Sequence, residues 1–424
     1  MKSLVTKNFL QQLINAVNLI NLASALFIVV LAIFGETKLQ NITRYVFFIS
    51  FGLEVILEQR WRNFAWDRKK WVFVAFLLFF ALIYIYLPFE ETTKHIGKIT
   101  EYRLPFLAFG IIGLLGVNKL YKLKYFAVTI LVTCIATIFY IVFYRIGITE
   151  FISRSDRAEL FSFARVQFVN SHMIFNYYLN VALVLTYYLF YVIKNKWIKP
   201  LLIFFILVIY SILLLSEGRA GFIASNVLLL IMIIYEIWKR GKTIAVIVAV
   251  LLLGAVGGLI YNHDKIAGHG NNIGKDPRLV IWKQAVEVIT DKPVFGYGAS
   301  TGNEVFMDKI TNNVEIIQTG DATVLHAVEI RRILCAHSHC QYLHTTIEFG
   351  VIGLLVLLFF NIAPIFVADR KRRLFVFLFV LVNIVQLASD IYVSAIPLTI
   401  FALLLTVFLS KENDKSLKQN LLSS

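Results

Sequence analysis

The chain has 424 residues, of which 59% are hydrophobic and 16% charged, and its formal net charge is +15. An apolar share well above the roughly 45 to 50% of globular proteins excludes an ordinary soluble fold and points to an all-α polytopic integral membrane protein. The positive charge does not imply nucleic-acid binding, because Lys and Arg are dispersed over short connections and build no continuous stripe.

Twelve apolar segments follow one another, near 13–35, 45–57, 71–89, 104–117, 125–144, 172–193, 197–216, 218–238, 243–261, 342–368, 373–390 and 392–410. Crossing a hydrocarbon core of roughly 30 Å takes about 20 helical residues. The second and fourth fall short, so they read either as spans lengthened by their flanks or as partly re-entrant segments. Ala23-Ser24-Ala25 resembles a signal-peptidase site, but hydrophobicity runs on through Ile33, so the first segment reads as an uncleaved helix.

The basic residues alternate between connections. Arg60, Arg62, Arg68, Lys69 and Lys70, then Lys119, Lys122 and Lys124, then Lys194, Lys196 and Lys199, then Lys239, Arg240 and Lys242, then Arg370 to Arg373 all fall on one side, with both termini. Basic residues are retained on the cytoplasmic side of short loops, so this side is expected to be cytoplasmic. The opposite, outer side receives 145–171, the hairpin Ser216-Glu-Gly-Arg-Ala-Gly221 and the polar insertion 262–341. Three parts result: nine helices over 1–261, the outer insertion, and three helices with a cytoplasmic tail over 342–424.

Within 145–171, Phe151, Ile152, Leu160, Phe161 and Phe163 interleave with Arg154, Arg157 and Arg165, a mix suited to a short helix in the headgroup zone. In the insertion, Arg278 to Ile289 has the pattern of an amphipathic helix, with Asp276 as N-cap, Pro277 at the first position and a stop at Asp291-Lys-Pro293. Phe295-Gly-Tyr-Gly298 then reads as a flexible turn, and the polar stretch to Ile333 as a potential lid. No repeat of 20 to 50 residues and no inverted pair of interrupted helices is visible, which weighs against an alternating-access transporter.

The candidate chemistry faces the outer side. His337 and His339 sit two apart, so an extended backbone points both the same way and a helix separates them. A lone interfacial His is more often solvated or structural, and what changes the odds is the company it keeps: Arg219 lies in the hairpin between small residues that permit close ligand approach, and Arg278 lies at a helix start where the dipole already favours an anion. The blander alternatives are snorkelling for Arg219 and a solvated helix start for Arg278. Paired guanidinium groups match a diphosphate better than ammonium groups do. Glu348 and Asp390 lie at or near apolar runs, where a carboxylate is costly enough to serve a purpose or to pair with an Arg.

Cys335, His337, His339 and Cys340 are crowded within six residues, too close for one tetrahedral metal centre, and no carboxylate cluster is present to hold a divalent ion against phosphate. No metal and no cofactor is therefore expected. Cys335 and Cys340 are compatible with a disulfide if the outer compartment is oxidising, and Cys134 reads as inert in mid-helix.

Together these motifs resemble the O-antigen ligase and polymerase superfamily of bacterial inner membranes. The resemblance rests on Arg219-Ala-Gly221, Arg278-x-x-x-Trp282 with Pro293-x-x-Gly296-x-Gly298, His337-Ser-His339-Cys-x-x-Leu343, Glu348-x-Gly350-x-x-Gly353-Leu354, Ser389-Asp390 and Ile396-Pro397. It covers about residues 200–410. The family commonly has Asn after the second His, where this chain has Cys340.

The resemblance implies a multi-pass inner-membrane glycosyltransferase of lipopolysaccharide biosynthesis. It would move an O-antigen glycan from undecaprenyl diphosphate to a lipid A core sugar at a periplasmic loop, without metal. The family's site residues carry over to His339 and then His337 at the catalytic positions and to Arg219 and Arg278 on the diphosphate; Glu348, Asp390 and Arg165 are supporting candidates read from the residues themselves. Donor, acceptor and membrane lipids are the expected partners, with no oligomeric state implied. An O-antigen polymerase using the same donor is the alternative within this class, and a transporter of lipid-linked sugars the alternative outside it.

Overall fold

The fold comes from a computed structural model, which describes residues 2–35, 37–153, 172–216, 218–244, 246, 248, 254, 277–312, 338–389, 392 and 394–410. The helices are α1 (Lys2–Phe34), α2 (Thr37–Glu58), α3 (Lys70–Tyr86), α4 (Ile96–Leu115), α5 (Leu123–Tyr140), α6 (Ile148–Ser153), α7 (His172–Val192), α8 (Ile198–Leu215), α9 (Arg219–Arg240), α10 (Pro277–Asp291), α11 (Ala299–Asn312), α12 (Gln341–Val367), α13 (Arg373–Gln386) and α14 (Ala395–Leu409). No strand occurs among the described residues.

Every expected span except 243–261, which lies mostly outside the described residues, overlies one of these helices. Seven of them, α1, α3, α5, α7, α8, α9 and α12, are long and apolar enough to cross a membrane, and α13 and α14 are apolar but shorter. The two short candidates are lengthened at their N-terminal ends. α2 begins at Thr37 and packs along α1, and α4 begins at Ile96 and packs along α3. Their first turns carry charge, Lys38 and Arg44 in α2 and Lys98, Glu101 and Arg103 in α4, which hides their length from a hydropathy reading.

Helices α7 and α14 form the centre. Every residue of α14 is buried, as expected of a helix apolar on all faces. Around it Phe76 of α3, Phe106 of α4 and Phe360 of α12 meet pairwise with centroids 5.1 to 5.2 Å apart, edge to face or tilted, the preferred aromatic geometry.

One end of the bundle collects the basic connections. Lys69 pairs with Asp369 at 3.0 Å, Arg60 donates to Gly116 O at 2.6 Å and pairs with Glu54 and Glu58, and Arg372 donates to the carbonyls of Val407, Phe408 and Ser410 at the C-terminus of α14. A cation there meets the negative end of the helix dipole.

The other end carries the insertion. α10 and α11 pack against each other and against α12 through Ile281, Ala285, Val288, Phe306, Ile310 and Ile347. α10 begins at Pro277, as its capping sequence indicates, and ends at Asp291. Two expectations for the residues beyond Asp291 are corrected. Residues 299–312 of the expected lid are a helix docked on α12, while 313–337 lie outside the described residues. Phe295–Gly298 is not a loose turn: Tyr297 N donates to Ile347 O at 3.0 Å, Gly298 N to Glu348 O at 2.8 Å, and Val351 N to Pro293 O at 2.9 Å.

This contact needs glycine on both sides. Gly350 interrupts α12 with φ 60° and ψ −159°, and a Cβ there would stand 2.2 Å from Val294 O; one on Gly296, at φ 70°, would stand 2.6 Å from Gly350 N.

Candidate functional site

Arg219 opens α9 behind Gly218, whose φ of 123° suits glycine. The turn is clamped to α7. Ser216 Oγ donates to Asn176 Oδ1 at 2.7 Å, Asn180 Nδ2 donates to Gly221 O at 3.1 Å, and a Cβ on Gly221 would come 2.6 Å from that of Asn176. Arg219 is half-buried. A cation on the first turn of a helix opposes the macrodipole, so helix stability gives no reason for it.

His339 stands just before α12, half-buried, with φ 51°, one of only two non-glycine residues with positive φ among those described. A left-handed backbone costs such a residue about 1 kcal/mol or more, and strain of this kind gathers at functional sites. Its neighbours hold it there. Ser338 Oγ donates to Cys340 O at 2.7 Å, Trp282 Nε1 of α10 donates to Ser338 O at 3.1 Å, and Gln341 N donates to Leu387 O at 2.9 Å. The backbone at His339 is therefore not extended.

His337, Arg165, Asp390 and Cys335 lie outside the described residues, as does the side chain of Arg278 in α10. Arg219, His339 and α10 all lie at the insertion end. Cys340 is buried, and Cys134 is buried in α5.

Glu348 of α12 is buried and engages Arg103 of α4, also buried, through Arg103 Nη2 and Glu348 Oε2; His344 Nε2 lies 3.4 Å from Glu348 Oε1. Burying either ion alone would cost several kcal/mol, so each requires the other. The Arg103 guanidinium is further held 5.4 Å from the ring centre of Phe79 and 5.3 Å from that of Phe349. This ion pair forms the floor of a cavity of about 390 Å³, walled by the start of α4, by α11 and by the first two turns of α12, with Lys94, His95 and Lys98 on one wall and Glu304 and Asp308 on another.

The wall formed by α11 is fixed by Glu90. Its carboxylate accepts from the backbone N–H groups of Ala299, Ser300 and Thr301 at 2.7 to 3.0 Å and so caps α11. Burial lifts this carboxyl above its ordinary range, and the three N–H groups pull it back. Thr301 Oγ1 and Ser300 Oγ return the contact to the N–H groups of Glu91 and His95 at 2.9 and 3.1 Å.

Of the singled-out residues that lie among the described ones, only Glu348 lines this cavity. Arg103 and His344 were missed. A signal for both existed: Gln341, His344 and Glu348 recur at i, i+3 and i+7 along one face of α12, and Arg103 is a charge just ahead of an apolar run.

Comparison with known proteins finds a family likeness within this part of the chain. Residues 202–358, which include Arg219, Arg278, His339 and Glu348, match the family model described as O-antigen ligase. A curated relative, an uncharacterized protein of Haemophilus influenzae, is 24% identical over 203 residues, covering 44% of this chain and 47% of that protein. The chain thus spans about half the length of the curated relative it matches. Over residues 202–358 the chain is thus similar to the O-antigen ligase family.

Proposed function

We propose that the protein is an O-antigen ligase, a metal-independent inverting glycosyltransferase of the bacterial inner membrane with both termini cytoplasmic and its site facing the periplasm. The donor is a glycan on undecaprenyl diphosphate and the acceptor a sugar of the lipid A core. The observation that carries this reading is that the family-matched segment brings Arg219, the strained His339 and the cavity-lining start of α12 to one end of the bundle. The basic connections occupy the opposite end, the arrangement expected if that end is cytoplasmic.

The chemistry follows from the groups. A sugar hydroxyl is a poor nucleophile until its proton is taken, and His339 is the base that takes it as the oxygen attacks the anomeric carbon. The bond from that carbon to the diphosphate oxygen breaks in the same step, inverting the centre. Charge gathers on the departing diphosphate, where Arg219 and Arg278 stabilise it as positioned cations. The proton leaves on His339 and passes to solvent.

The test is His339→Ala in a strain deleted for the native gene. The variant should insert at the wild-type level while its lipopolysaccharide loses the glycan ladder and polymer accumulates on its lipid carrier. Normal capping of the lipid A core would remove His339 from the reaction. Loss of chain length with single repeats still attached would identify a polymerase instead.

A further inference from the structure

Besides Glu348 Oε1, which faces His344 Nε2 at 3.4 Å, the cavity above the Arg103–Glu348 pair is lined by three residues that each carry a buried polar atom with no hydrogen-bond partner among the described residues: Arg103 Nη1, Gln341 Oε1 and Asn303 Oδ1. Two of these side chains are buried, Arg103 with 6% of its surface exposed and Gln341 with 2%. Arg103 Nη2 goes to Glu348, Gln341 Nε2 donates to Thr345 Oγ1 at 3.2 Å, and Asn303 Nδ2 donates to Ala299 O at 3.0 Å. Each side chain is thereby oriented, leaving one donor and two acceptors for whatever occupies the space.

That inventory selects among ligands. A phosphate or diphosphate offers only acceptors: it would satisfy Arg103 Nη1, leave both amide oxygens opposite negative oxygen, and approach the carboxylates of Glu304, Asp308 and Glu348. A sugar hydroxyl both donates and accepts, so a ring with several hydroxyls satisfies all three atoms. Ligand sites run from about 300 to 1,000 Å³, and this cavity has about 390 Å³. Gln341 follows His339 by two residues, so a ring seated here lies beside the segment that carries the base.

We propose that this cavity is an uncharged-sugar subsite, in which Gln341 and Asn303 accept hydroxyl protons and Arg103 donates to a ring or hydroxyl oxygen. The proposal rests on the ligase reading for its place in the reaction, and the diphosphate is assigned elsewhere. The ring belongs either to the glycan donor or to the lipid A core acceptor.

The experiment is saturation-transfer NMR on the full chain in detergent micelles, with free hexoses and N-acetylhexosamines as probes and inorganic pyrophosphate as competitor. At least one sugar should receive saturation from the wild type, pyrophosphate should not displace it, and Gln341→Leu or Asn303→Leu should weaken binding about tenfold, the loss of one hydrogen bond in a buried site. Should either variant fail to fold, Met307→Trp fills the cavity from its wall without touching the three atoms and should abolish the signal. No saturation with any sugar, displacement by pyrophosphate, or binding unchanged by both kinds of variant would overturn the proposal.

Transfer assays with purified donor and acceptor then separate the sources, since the KM that rises in Gln341→Leu names the partner whose ring sits here. A wild-type protein that binds sugar but transfers none would sink the ligase reading and leave the subsite standing.

Discussion

Gly350→Ala tests whether the insertion is built into the membrane bundle or merely laid upon it. At φ 60° and ψ −159° the backbone occupies a region almost exclusive to glycine, and any other residue there costs about 1 to 3 kcal/mol. The added Cβ would meet Val294 O at 2.2 Å, and ordinary contact begins near 3.4 Å, so the two backbones must part by about 1.2 Å. Val294 cannot yield like a side-chain tip, because its flanking backbone is bonded through Val351 N to Pro293 O and Tyr297 N to Ile347 O. Losing both bonds adds about 2 kcal/mol, for a total of about 3 to 5 kcal/mol. Thermal unfolding of the detergent-purified protein, followed by thiol labelling of the buried Cys134 and Cys340, reads this as a lowered midpoint. Gly52→Ala is the control: it lies within α2, its Cβ would meet nothing within 4 Å, and it should hold or raise the midpoint, by up to about 1 kcal/mol. A Gly350→Ala protein that melts with the wild type would refute the close approach, and with it the fixed position of Glu348.

Arg103→Leu and Glu348→Leu should each destabilise by about 3 to 5 kcal/mol by stranding the partner's charge, while the double variant should recover much of that; additive losses in a double-mutant cycle would deny the pair. Glu90→Ala removes the acceptor for three N–H groups of α11 and should cost about 1 to 2 kcal/mol, read as faster proteolysis within 299–312; protection equal to wild type would show that α11 is held by its apolar face alone. Arg219→Ala should raise the KM for the lipid-linked donor at least about tenfold and the acceptor KM far less, with partial recovery in Arg219→Lys; an equal loss toward both would make the residue structural.

The membrane helices were legible because length and apolarity alone specify them. α10 was legible for a different reason, since Asp276-Pro277 and Asp291-Lys-Pro293 mark its ends locally. α11 was not. Its sequence is polar, with Val305, Phe306 and Ile310 as its larger aliphatic and aromatic residues, and its cap comes from Glu90, 209 residues earlier in the chain.

The same distance hid the cavity. Glu348 was visible as a carboxylate in an apolar run, but Arg103, its partner, lies 245 residues away, and no local pattern joins them. Arg219 and His339 were found from their type and neighbours. The strain at His339 was not, because the contacts that hold it include α10 and the segment after α13, far along the chain, as well as the Ser338–Cys340 bond of its own tripeptide.

The bond from Trp282 to Ser338, together with the glycine seam between 293–298 and 347–351, sets the boundaries for any transplant of substrate preference between relatives. A graft limited to the amphipathic helices would sever the imidazole from its tether, and one limited to the histidine segment would leave an indole without its carbonyl. Residues 277–312 and 338–352 travel as one cassette, whose mate is the Glu90 hairpin of the host.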